Sequence, residues 1–124
     1  MKLLIAGSRC IKEFNLEKYV PDETTMIITG GADGIDTLAE KIADKKQISK
    51  LILRPQYSIY GRAAPLRRNE KMLELCDEAL IVWDGCSKGT EYTLKYAKKI
   101  GKKVILINTS EINSLAEVKR GENR

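Results

Sequence analysis

The stretch Ile27-Ile28-Thr29-Gly30-Gly31-Ala32-Asp33-Gly34-Ile35-Asp36 decides the fold of this 124-residue chain. An apolar, β-branched run stops at two glycines, and a helical pattern begins at Gly34 or Ile35. The stretch therefore predicts a strand, a glycine turn and a helix, with Asp33 as the N-cap. The apolar residues that follow have the spacing of an amphipathic helix: Ile35, Leu38, Ala39, Ile42 and Ala43.

A glycine turn between a strand and a helix directs free backbone N–H groups at an anion or a polar ligand. Glycine adopts positive φ and lets a ligand approach the main chain closely. A plain tight turn would have the same residues, so this motif alone does not decide between a ligand site and a connection.

The composition fits one domain with a packed core, since 43% of the residues are hydrophobic. We predict a single domain over residues 1–108 and a polar tail over 109–124, with a short helix around 114–119. No stretch approaches the roughly 20 apolar residues of a membrane span. The chain enters a strand directly after Met1-Lys2, too soon for a signal peptide. We therefore expect a cytoplasmic protein with no membrane association.

The chain contains no histidine, which excludes Ser-His-Asp and Cys-His catalysis and the commonest zinc ligand sets. The three cysteines lack metal-ligand spacing, so we predict no metal site. Cys10 and Cys86 fall in predicted loops, without a histidine to activate either thiol. The net charge of +5 suits a phosphate-bearing or nucleic-acid partner, although an excess of this size is common on ordinary domains.

Apolar runs that alternate with helical patterns predict five strands, at 2–6, 25–29, 51–53, 79–83 and 104–107. Helices are expected at 11–19, 35–46, 65–76 and 90–100. The last should bury Thr93, Tyr96, Ala97 and Ile100 and end at Gly101. Residues 56–64 are expected to be a long, irregular connection rich in tyrosine and arginine, as functional loops often are.

The helix after Pro65 carries Arg67, Arg68 and Asn69 in its first turns. Cations there oppose the helix dipole. This predicts a bound anion or a nearby carboxylate, with solvated arginines as the alternative.

Strands alternating with helices predict an α/β domain with a five-stranded parallel sheet covered on both faces. Right-handed crossovers and one topological switch give the Rossmann-like strand order 3-2-1-4-5. The switch lies between strands 1 and 4. The loops after those strands, Gly7-Ser8-Arg9 and 84–90, should therefore flank one crevice, with the Gly30-Gly31 loop beside them.

Four motifs in this order resemble the YspA-like branch of the SLOG superfamily, which also includes the LOG phosphoribohydrolases and the DprA/Smf proteins. They are Ala-Gly-Ser-Arg at 6–9, Thr-Gly-Gly-Ala-Asp-Gly-Ile-Asp at 29–36, Gly-Arg-Ala-Ala followed by Arg-Asn-x-x-Met within 61–72, and Trp-Asp-Gly-x-Ser-x-Gly-Thr at 83–90. The resemblance covers residues 3–107.

The resemblance implies a Rossmann-like fold with a pocket for a nucleotide or a nucleotide-derived molecule. No other cofactor is evident, although a nucleotide or phosphate could be bound. The residues predicted to bind the ligand are Gly7, Ser8, Arg9, Gly30, Gly31, Gly34, Asp36, Arg62, Arg68, Asn69, Asp84, Ser87, Gly89 and Thr90.

The chain departs from the related families at two places. The branch usually has Gly-Arg-Ala-Ala-Gly-Pro, whereas here Pro65 follows Ala64 directly. LOG enzymes carry a catalytic glutamate three residues after the threonine of Gly-Thr, where this chain has Thr93. Glu91 lies two residues earlier, which rotates its side chain by roughly 200° on a helix. Glu91 therefore cannot simply replace the missing glutamate, and a first-turn acid that complements the dipole is the alternative.

Three functions follow as hypotheses. The first is a binding protein for a nucleotide derivative, acting as a sensor or accessory protein. The second is a LOG-like hydrolase of an N-glycosidic or phosphate bond, with Asp36, Asp84 or Glu91 as acid or base and Arg68 stabilising negative charge. The third, less favoured, is DprA-like binding of single-stranded DNA. A homo-oligomer also remains open. The third hypothesis would use aromatic stacking surfaces, with Tyr57, Tyr60 and Trp83 as the candidates.

Overall fold

The structure is a computed structural model that describes residues 1–110. The predicted tail helix around 114–119 lies outside the described residues, as does most of the tail. The strands are β1 (Lys2–Gly7), β2 (Met26–Thr29), β3 (Ser49–Ile52), β4 (Glu78–Trp83) and β5 (Lys103–Asn108). The helices are α1 (Ile35–Lys46), the single turn α2 (Tyr57–Tyr60), α3 (Ala64–Leu75) and α4 (Lys88–Lys99).

The five strands form one parallel sheet in the order β3-β2-β1-β4-β5, which confirms the predicted topology. β1 is the central strand, and Leu4 pairs with Ile28 of β2 on one side and with Ala79 of β4 on the other. Because the sheet is covered on both faces, its inner strands are apolar in nearly every position.

Alternate residues of the strands supply two hydrophobic cores. On one face α1 packs through Ile35, Ala39 and Ala43 against Leu3 and Ile5 of β1. On the other face, Leu4 of β1 and residues of α3 and α4 form the second core. No helix within residues 1–110 is long and apolar enough to cross a membrane.

The outer sides of α3 and α4 are joined by two tyrosine–glutamate hydrogen bonds. Tyr92 of α4 donates its hydroxyl to Glu70 of α3, and Tyr96, one turn later, donates to Glu74 at 3.2 Å. Since residues four apart lie on one face of a helix, the two bonds run in parallel along the helix pair.

α4 ends at Gly101, as predicted. Gly101 has φ +71°, and its N–H donates to the Lys98 carbonyl at 3.1 Å while the Lys102 N–H donates to the Ala97 carbonyl at 2.9 Å. This is a Schellman ending. The predicted burial of Ile100 is wrong, because Ile100 is the C-cap residue and its side chain is 39% exposed.

Two predicted segments differ from the structure. Residues 11–19 do not form an α-helix; only Glu17–Tyr19 form one 3-10 turn. Phe14 and Leu16 are two residues apart, so a helix would not bring both to one face. Residues 56–64 are more ordered than predicted, because α2 and the 3-10 turn Gly61–Ala63 fill this connection.

Candidate functional site

A cavity of about 510 Å³ lies at the carboxyl ends of β1 and β4, where the strand order reverses, and we call it the first cavity. Ligands bind at this position in many parallel α/β folds. Ten of the predicted binding residues line it: Gly7, Ser8, Arg9, Asp36, Arg68, Asn69, Asp84, Ser87, Gly89 and Thr90. The lining also includes residues that were not predicted to bind: Ala6, Cys10, Ala32, Pro65, Leu66, Met72 and Thr93.

Ser8 joins the loops after β1 and β4 through hydrogen bonds. Its N–H donates to the Val82 carbonyl at 3.0 Å. Its hydroxyl oxygen accepts the Asp84 N–H at 3.1 Å and lies 3.0 Å from the Ser87 hydroxyl. Gly7 permits this contact, because a Cβ there would lie 2.2 Å from the Val82 carbonyl oxygen. These bonds give the floor of the first cavity a fixed shape.

Asp84 organises the loop that precedes α4. Its carboxylate accepts the N–H groups of Ser87 and Cys86, both at 2.8 Å, and the Ser87 hydroxyl at 2.9 Å. Hydrogen bonds from the Ser87 N–H, the Cys86 N–H and nearby side chains hold the pKa of Asp84 far below its ordinary value. Asp84 is therefore ionised at neutral pH and cannot serve as a general acid there.

Cys10 donates its thiol to the second oxygen of Asp84 at 3.1 Å. This hydrogen bond, with burial and the negative charge of Asp84, raises the pKa of the thiol. A raised thiol pKa lowers the thiolate fraction at neutral pH, so Cys10 lacks the properties of an activated nucleophile.

The side chain of Arg68, a predicted binding residue on α3, is buried. Its Nη1 donates to the carbonyls of Gly30 at 2.7 Å and Leu53 at 3.1 Å, and its Nε donates to Asn69 Oδ1 at 2.7 Å. Burial lowers the pKa of Arg68. The positive charge at the start of α3 is thus met mainly by carbonyl groups that follow β2 and β3.

Asp36 lies beside this guanidinium and is 5% exposed. Its Oδ2 accepts the Ala32 N–H at 3.2 Å. Burial raises the pKa of Asp36, while the bond from Ala32 and the charge of Arg68 act in the opposite direction. The predicted N-cap role of Asp33 is wrong, because Gly34 is the N-cap without a side-chain bond and Asp33 is exposed.

The three glycines of the loop after β2 do not line the first cavity, although they were predicted to bind ligand. Gly30 makes room for Arg68, since a Cβ would lie 2.5 Å from its Nη1. Gly31 has φ +71° and packs against Arg54. Gly34 has φ +74°, and a Cβ there would lie 2.4 Å from the Arg9 carbonyl oxygen. These glycines therefore shape the loop after β2 without lining the first cavity.

α4 presents Gly89, Thr90 and Thr93 to the first cavity. The Thr93 hydroxyl donates to the Gly89 carbonyl at 2.9 Å and accepts a hydrogen bond from Asn69 at 2.9 Å. Glu91 is outside the cavity lining and pairs with Lys95 at 2.9 Å across one helical turn. Thr93, at the spacing where the resemblance placed a glutamate, therefore lines the cavity.

Two exposed arginines predicted to bind ligand differ in position. Arg9 lines the first cavity, and no carboxylate in the described part of the chain pairs with it. Arg62 lies on the exposed 3-10 turn after α2 and is not part of the cavity lining. Its predicted role came from the resemblance, which gave no information on how the turn is oriented.

The first cavity combines two guanidiniums, Arg9 and Arg68, with Gly89 in the first turn of α4 and an apolar wall that includes Leu66 and Met72. The described residues that line it include no aromatic ring. Such a site can hold an anionic group and cover an apolar surface of a small ligand. Residues 1–110 contain no group of three or more cysteine, aspartate or glutamate side chains that could hold a metal ion. No protein-family model, curated protein or solved structure matched the chain.

Proposed function

We propose that the protein is a cytoplasmic, YspA-like SLOG protein that binds a nucleotide or a nucleotide-derived molecule in the first cavity, as a sensor or accessory protein. One arrangement supports this most directly: Arg9, Arg68 and the first turn of α4 line the same cavity. Guanidiniums form short, charge-assisted hydrogen bonds with phosphate, and a helix N-terminus favours negative charge.

The phosphate of the ligand would lie against the first turn of α4. The N–H of Glu91 donates to the Ser87 carbonyl at 3.1 Å and so makes the first helical bond. The N–H groups before it have no intrahelical partner. Gly89 has no heavy atom within 4 Å of its would-be Cβ, so the backbone is open to a ligand at this point.

The remainder of the ligand would cover Leu66 and Met72, on the α3 side of the first cavity. The volume of about 510 Å³ lies within the usual range for small-ligand sites. Asp36, near this wall, could accept hydrogen bonds from sugar hydroxyls.

A LOG-like hydrolase is the second candidate, and Asp36 is the residue that favours it. Burial raises the pKa of Asp36, as in many general acids. Thr93 occupies the position of the LOG glutamate, Glu91 is paired with Lys95, and Asp84 is held by several donors. Binding is therefore the better-supported function, and incubation with nucleoside monophosphates would reveal free base or phosphate if hydrolysis occurs.

The proposal is tested by calorimetric titration with AMP, NAD and ADP-ribose, together with mass spectrometry of small molecules released from the purified protein. Arg9→Ala should weaken binding by roughly tenfold or more, since a hydrogen bond to a charged group contributes about 1.5–3 kcal/mol. Arg62→Ala is the matched control, because it removes an equally charged, exposed arginine outside the cavity. Absence of binding for every compound, or equal losses in both variants, would contradict the proposal.

A further inference from the structure

A second cavity of about 660 Å³ adjoins the first and shares Arg68 with it. It lies between α2 and α3 and is lined by Tyr60, Arg54, Lys71 and the outer side of α3. The two cavities therefore meet at one buried guanidinium.

Burial lowers the pKa of Arg68, and the positive charge of Arg9, which lines the first cavity, acts in the same direction. Tyr60 lines the second cavity and is 47% exposed. Tyr57 lies on the same turn and is 58% exposed, but it does not line this cavity.

The second cavity also carries an excess of positive charge. Arg54 and Lys71 form no ion pair within the described residues, whereas Glu70 is occupied by Arg67 and Tyr92, and Glu74 by Tyr96. These cations without a carboxylate partner favour an anionic linker, and Tyr60 favours a planar ring, because bases stack on aromatic side chains. The described residues that line the first cavity offer a place for phosphate but no ring for stacking.

We infer that the natural ligand carries two bases joined through phosphate: one nucleotide occupies the first cavity, the phosphate linkage passes Arg68, and the second base stacks on Tyr60 in the second cavity. This inference rests on the proposed function and narrows its ligand class. A mononucleotide would fill only the first cavity, and a ligand without a second base would gain charge contacts but no stacking.

Calorimetric titration with AMP, ADP-ribose, NAD and the dinucleotide pApA tests this inference. ADP-ribose carries the linkage without a second base, and NAD and pApA differ in the chemistry of the linkage. At least one two-base ligand should bind roughly tenfold or more tightly than AMP and more tightly than ADP-ribose. The variant Tyr60→Ala should remove most of that gain, since stacking on one ring provides a comparable factor, and should leave AMP binding unchanged.

Tyr57→Ala is the matched control, because Tyr57 is a tyrosine on the same turn and is 58% exposed but does not line the second cavity. Tyr60→Phe should retain the gain, since the ring remains. If AMP binds and two-base ligands bind no more tightly, or their gain survives the loss of the Tyr60 ring, the inference is overturned while the proposed function stands. If no compound binds, both are overturned.

Discussion

Replacing Arg68 by methionine should destabilise the protein by about 2–4 kcal/mol. The variant keeps an apolar stem of similar length but leaves the buried Gly30 carbonyl and the partly buried Leu53 carbonyl without their donor. A buried polar group that loses its partner costs about 1–3 kcal/mol. Removing the guanidinium, whose own burial is unfavourable, offsets part of this loss.

Urea denaturation followed by circular dichroism measures the effect. With a slope of roughly 2 kcal/mol per molar urea, the midpoint should fall by about 1–2 M. Arg67→Met is the matched control, because Arg67 is the preceding residue and forms an exposed ion pair with Glu70; its effect should be much smaller. An Arg68→Met variant as stable as Arg67→Met would refute the assignment of Arg68 as the donor that joins β2, β3 and α3.

The pH dependence of stability tests the interaction between Asp36 and Arg68. Burial raises the folded-state pKa of Asp36, so the folded state binds this proton more tightly than the unfolded state. Stability linked to Asp36 is therefore present below the unfolded pKa of about 3.9 and is lost as pH rises through the folded pKa. Asp36→Asn should lack this pH dependence, and its stability relative to wild type should increase as pH rises. In the Arg68→Met background the stability linked to protonated Asp36 should persist to higher pH, because the charge of Arg68 lowers the pKa of Asp36. Parallel pH curves for wild type and Asp36→Asn would refute the assignment.

Two further predictions concern a glycine and the helix pair. Gly34→Ala should destabilise the protein by about 2–4 kcal/mol in urea denaturation, because φ is +74° and the new methyl would lie 2.4 Å from a carbonyl oxygen. Gly89→Ala is the control and should fold as stably as wild type, because its methyl enters open space. Equal losses of stability in the two variants would contradict this explanation. Tyr92→Phe removes the main bond that lowers the pKa of Glu70, so it should be less stable than wild type at pH 7. The difference should shrink as pH falls below the unfolded-state glutamate pKa of about 4.3 and vanish below the lowered folded-state pKa of Glu70, where the residue is protonated in both proteins. Tyr96→Phe, which removes the longer bond, is the comparison, and a pH-independent loss in Tyr92→Phe would contradict this explanation.

The sheet could be predicted from the sequence because its determinants are local. The first four apolar runs are closed by glycine, by Asp84-Gly85 or by Arg54-Pro55, and Gly101 marks a helix end by its need for positive φ. The rotation between Glu91 and Thr93 also followed from helix geometry alone, and the structure separates the two residues as that rotation requires.

The partners of the polar residues could not be predicted, because they lie far apart in the chain. Arg68 bonds to Gly30, which is 38 residues away. Whether Asp33 or Asp36 would bond to the loop depended on which side chain turned toward Arg68, and neighbouring sequence contains no signal for that. The resemblance placed Gly30, Gly31 and Arg62 in the binding loops, whereas the structure keeps them outside the first cavity.

The position of β1 in the middle of the sheet has a consequence for synthesis and for protein engineering. The walls of the first cavity come from residues near Ser8 and residues near Ser87, which are joined by a hydrogen bond across 79 positions of sequence. A nascent chain that has not yet released α4 would lack one wall of the first cavity, so a ligand of that cavity could not assist its early folding. Two fragments divided between β3 and α3 would each contain half of the pocket, and recovery of ligand binding on mixing would report their reassembly.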